Sequence, residues 1–102
     1  MSIDYINEIA EKIANQFSVD FIYLYNIKTR VSDDKLKEFN IAVVIKEGNS
    51  KKTEKDIYLE VSSEIPFVCL CYNKEEWNNL LSDENSFVHR ISKRGQLIYG
   101  QI

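Results

Sequence analysis

The chain has 102 residues, 44% hydrophobic and 28% charged, with a formal net charge of −3. Six Tyr, five Phe and one Trp can fill a compact core, so a disordered chain is excluded and residues 1–102 are expected to form one domain. The acidic balance excludes broad, sequence-independent nucleic-acid binding as the main task, and no apolar run approaches the roughly 20 residues of a membrane helix.

Met1-Ser2-Ile3-Asp4 carries no basic segment ahead of a long apolar one, so no secretion signal is expected. Ile6, Ile9, Ala10, Ile13, Ala14 and Phe17 recur every three or four residues and predict an amphipathic helix. Val19 to Tyr25 is β-branched and aromatic and reads as a strand. Asn26 to Lys37 is polar, with Ser32-Asp33-Asp34 at its centre, and reads as a loop. Phe39 to Ile45 is the clearest strand. Ile57, Val61 and Ile65, with Pro66 as terminator, predict a helix over 51–64. Phe67 to Tyr72 is a further apolar strand.

Asn73 followed by Glu76 is a capping box ahead of a short helix expected to bury Trp77, Leu80 and Leu81. Phe87, Val88 and Ile91 mark a last helical turn or two, Gly95 ends it, and Gln96 to Tyr99 forms a short closing strand. The fold class is therefore α/β in the wider sense (α+β): a small mixed sheet with helices packed mainly on one face.

Cys69 and Cys71 are too close along a strand to form an ordinary disulfide, and no further Cys or clustered His completes a zinc site. They read as two buried small hydrophobes in a reducing cytoplasm, the expected localisation. His89 is the only histidine, and nothing around it singles it out for catalysis. Tyr23, Tyr25, Tyr58, Tyr72 and Trp77 are candidates for a contact surface, with core positions as the alternative.

The stretch Ile22 to Val31, followed by Glu38 to Val44, resembles the signature of minimal nucleotidyltransferases of the DNA polymerase β superfamily. That signature is an apolar strand, Gly-Ser with basic residues, a loop, then a strand opening with Asp-x-Asp. Ile65 to Val68 resembles the strand that often carries a third Asp, and Phe87 to Tyr99 resembles the terminal helix and closing strand. The resemblance implies a nucleotidyltransferase-like fold across most of the chain.

The chemical positions depart from it. Asn26-Ile27 stands where the family has Gly-Ser, while Lys28 and Arg30 fall on the basic positions, so Asn26, Lys28 and Arg30 are the candidate nucleotide- or anion-binding residues. The Asp-x-Asp pair is Glu38 and Asn40 here, and the third acid falls on or beside Val68. Two Mg²⁺ ions need several carboxylates on one face. With one carboxylate of the wrong length, no catalytic residue and no metal ligand is assigned, and no cofactor is expected.

What the resemblance then implies is a domain without catalysis that binds a helical protein partner, as in toxin–antitoxin-like pairs, or forms a homo-oligomer. The alternatives are a divergent Mg²⁺-dependent nucleotidyltransferase moving NMP from an NTP, with Asp33 or Asp34 as stand-in acid, and a nucleotide or anion sensor.

Overall fold

The computed structural model describes residues 2–101; Met1 and Ile102, the ends of the expected domain, lie outside the described residues. The elements are α1 (Ser2–Gln16), β1 (Val19–Thr29), β2 (Leu36–Ile45), α2 (Ser50–Glu60), β3 (Phe67–Asn73), α3 (Lys74–Leu81), α4 (Phe87–Arg94) and β4 (Gln96–Gly100). The strands form one mixed sheet in the order β3-β2-β1-β4. β1 runs antiparallel to β2 and β4, and β3 runs parallel to β2 through the α2 crossover. The α+β class and the order of elements are those expected.

Helices cover both faces of the sheet, not mainly one. α1 and α2 bury Ile6, Ile9, Ile13 and Ile57 against Ile22, Leu24, Ile41, Val43, Cys69 and Cys71. α3 and α4 bury Trp77, Val88 and Ile91 against Phe21, Tyr23, Ala42 and Val44. The cause lies in β1 and β2, whose apolar residues run without alternation, so each face needs its own cover. On the second face the cover is aromatic: Trp77 stacks on Tyr23 at 5.6 Å and meets Phe21 edge-on at 5.4 Å. Tyr23 and Trp77 are thus core, not contact surface, whereas Tyr58 is exposed. Leu80, expected inside, is 39% exposed because it faces away from this layer.

Two boundaries differ from those expected. The hairpin ladder continues to Thr29 and resumes at Leu36, so the polar loop shrinks to residues 30–35. The ladder holds these polar residues in strands, and the turn closes through Arg30 N–H donating to Lys35 O at 2.8 Å. α2 stops at Glu60 because Ser63 offers the backbone an alternative: its hydroxyl donates to Ile65 O at 2.6 Å and accepts from Ile65 N–H at 3.2 Å. The Asn73 capping box forms, with Glu76 N–H donating to Asn73 Oδ1 at 2.8 Å and Asn73 N–H to Glu76 Oε1 at 2.9 Å.

β3 is an edge strand, and α2 covers its outward backbone. Cys71 N–H donates to Glu54 Oε1 at 2.9 Å, and the Tyr58 hydroxyl donates to Cys69 O at 3.1 Å. At the far side, α4 turns into β4 with no space to spare. A Cβ on Gly95 would lie 2.6 Å from Ile91 O and 3.2 Å from Leu24 O. Among the described residues no helix is long and apolar enough to cross a membrane.

Candidate functional site

Asn26 pairs with Asn40, and Lys28 with Glu38, across the β1–β2 ladder, so these four residues share one face of the sheet. It is the face that carries Phe21, Tyr23, Ala42 and Val44. Alternation from Tyr23 places Tyr25 on this side, where its ring meets Phe87 edge-on at 5.2 Å, and the register shift between Leu24 and Asn26 brings Asn26 to the same side. The β1–β2 ladder therefore brings Asn26 and Lys28, expected in a loop, together with Glu38 and Asn40. Arg30 does not join them; it sits at the tip of the arm, next to the turn.

Lys28 and Arg30 are already matched. Lys28 Nζ lies 3.4 Å from Glu38 Oε2. Arg30 grips Asp33 with two bonds, Nε donating to Oδ1 at 3.1 Å and Nη2 to Oδ2 at 2.7 Å. The Lys35 backbone N–H, donating to Asp33 Oδ1, and then the Arg30 fork hold that carboxyl below its ordinary value. An anion arriving at Lys28 or Arg30 competes with a carboxylate for each.

The resemblance implies Mg²⁺, and the donors present do not fit it. Glu38 supplies the one carboxylate at the paired positions and is engaged by Lys28. Asn40 is neutral. Val68, Cα partner of Asn40 on β3, offers no donor atom. Among the described residues no three His, Cys, Asp or Glu side chains converge on a common point. Mg²⁺ needs near-octahedral oxygen ligands, and this face does not supply them.

Asn40 has a further property. Its Oδ1 is buried without a hydrogen-bond partner among the described residues. Burial raises the Tyr25 phenol above its ordinary value, and the Asn40 side chain beside it opposes part of that rise. The phenol stays protonated at neutral pH and can donate a hydrogen bond.

Next to Tyr25 lies a cleft of about 230 Å³ lined by Phe87, Arg90, Ile91, Arg94 and Gly95. A second, of about 320 Å³, shares Tyr25 and Arg94 and adds Asn26, Ile27 and Gln96. Sequence reading passed over Arg90 and Arg94. The signal was their spacing of four on a helix and the absence of any acid after Glu84.

Comparison of the chain with protein-family models, with curated proteins and with solved structures finds no match. The reading of this site rests on its own residues.

The remaining sequence candidates fall elsewhere. Cys69 and Cys71 are free and buried on the opposite face; burial is the main cause that pushes both thiols up, that of Cys71 to about 12. His89 Nδ1 lies 3.2 Å from Leu81 O, joining α4 to the end of α3. Asp33 is tied to Arg30, and Asp34 occupies the turn with φ of 58°. Neither reaches the Glu38–Asn40 face as a stand-in acid.

Proposed function

We propose that this chain is a nucleotidyltransferase-like domain that does not catalyse and works by binding another protein. The observation that carries the reading is the state of the Glu38–Asn40 pair: one carboxylate in an ion pair with Lys28, one neutral amide, and valine at the third position. A partner of the helical kind the resemblance implies would meet exposed apolar side chains. Ile27 and Val31 stand out from the β1–β2 arm, and Val31 is fully exposed. A second copy of this chain is the other occupant of that surface. Two unpaired, buried cysteines suit a reducing cytoplasm, which is part of the same proposal.

The test is transfer of labelled NMP from each of the four NTPs, with Mg²⁺ and with Mn²⁺, to the chain itself and to added RNA and protein. No transfer is expected. Turnover that disappears in Glu38→Ala but survives in the distant Lys12→Ala would overturn the reading. Sedimentation velocity then assigns the apolar arm. A dimer that dissociates in Val31→Asp places a second copy there, and a monomer leaves the arm to a different protein.

A further inference from the structure

Arg90 and Arg94 are the observation that the proposed function leaves unused. They lie one helical turn apart on α4, and neither forms an ion pair among the described residues. Lys28, Arg30, Lys51, Lys52 and Lys74 each have a carboxylate partner. The chain is acidic overall, yet its last 18 residues hold Arg90, Lys93 and Arg94 and no acid. Lys12, Lys35, Lys37, Lys46 and Lys55 also lack an ion pair among the described residues, but α4 sets three cations within five residues, with no acid after Glu84.

Arg90 and Arg94 both line a cleft of about 230 Å³. Ile91, 2% exposed, anchors α4 beneath it. The Arg90 guanidinium lies 5.6 Å from the centre of the Phe87 ring, which limits its freedom. The Tyr25 and Phe87 rings, edge-on at 5.2 Å, give the cleft an apolar side. Tight packing at Gly95 fixes the end of α4 against β1.

The geometry points to a binding site, between α4 and β1, for a small phosphate monoester. Arg90 and Arg94 clamp the phosphate oxygens, and the two rings flank the organic group. Charge selects the class. Two unmatched cations call for a dianion, and a phosphate monoester carries about −1.5 to −2 at neutral pH with three acceptor oxygens. A single carboxylate would leave one guanidinium unmatched. The site is built by α4 and β1 alone and does not depend on the absence of catalysis.

Calorimetric titration of the whole chain with phenyl phosphate and with inorganic phosphate tests it. Saturable one-to-one binding of phenyl phosphate is expected, tighter than that of inorganic phosphate. Arg90→Gln/Arg94→Gln should weaken it by at least about tenfold, and Arg94→Gln alone by a smaller factor. Lys93→Gln, on the same helix but outside the cleft, should leave it within about twofold, the change expected of a screened charge. All three positions are exposed, and an unchanged urea midpoint confirms that each variant is folded. No saturable binding at millimolar ligand overturns the proposal. So does equal binding by the double variant, or an equal loss in Lys93→Gln, which would make the effect one of general charge. Equal affinity for the two ligands replaces the monoester with the free ion and overturns the assignment of the rings.

Discussion

On the side covered by α1 and α2, the sheet is packed largely by Ile, Val and Cys, with Phe39 and Phe67 stacked at one end. On the side covered by α3 and α4, the packing is by rings: Phe21, Tyr23, Tyr72 and Trp77, with Tyr25 at the margin. Aliphatic side chains on two longer helices pack the first layer, and its margin carries a cleft of about 420 Å³ lined by Tyr5, Lys12, Ser62, Ser63 and Glu64. Large rings under two eight-residue helices leave their margin open, and polar groups enter there. Asn26, Lys28, Glu38, Asn40, Tyr25 and the α4 arginines all belong to this second side. The difference teaches that the candidate polar residues gather at the margin of the layer packed by rings.

The strongest way to break the contrast is Trp77→Ala. Removing the ring on which Phe21, Tyr23 and Tyr72 converge is expected to destabilise by about 3–5 kcal/mol in urea unfolding. Ile57→Val on the aliphatic side should cost only about 0.5–1.5 kcal/mol. A smaller loss for Trp77→Ala than for Ile57→Val would mean that the ring layer is not the core of its side.

A gain of stability is the sharper prediction for Asn40. Asn40 buries an unpartnered oxygen and also bonds the Tyr25 phenol, so the variant that makes both partners apolar, Asn40→Leu/Tyr25→Phe, should raise stability by about 1 kcal/mol. A loss in the same unfolding measurement would reveal a partner for that oxygen.

Glu76 sits where α3 begins, close to the start of α2. The Asn73 backbone N–H and then the Ser50 hydroxyl hold its carboxyl below the ordinary value. A depressed carboxylate contributes stability above its unfolded value, near pH 4.5. That contribution is lost as pH falls through the lower folded value. Stability should therefore decline on acidification below about pH 4.5, and less steeply in Glu76→Gln. Asn73→Ala, which removes the other half of the box, should cost about 0.5–2 kcal/mol at neutral pH.

The smallest effect concerns the thiols of the aliphatic side. Cys69 and Cys71 should resist an aromatic disulfide reagent in the folded protein and react as urea unfolds it, because burial raises both thiols. Rapid labelling without urea would show that this side opens on its own, and the contrast between the two sides would weaken.

The sequence by itself determined the order of elements, the Asn73–Glu76 capping box and the parity that sets Glu38 and Asn40 on one face of β2. Each depends on residues near one another in the chain, through periodicity or a local hydrogen bond. Only the tertiary structure decided the rest. Helices cover both faces because β1 and β2 are apolar on both, a demand that no single segment states. The polar stretch after Tyr25 is strand because β2 pairs with it. Lys28 reads as a free cation until the ladder places Glu38 opposite, and Arg30 until the turn brings Asp33 to it. Arg90 and Arg94 read as surface charges until α4 packs beside Tyr25. Whether a charge is matched or available depends on distances between residues far apart in sequence, and those distances exist only in the folded chain.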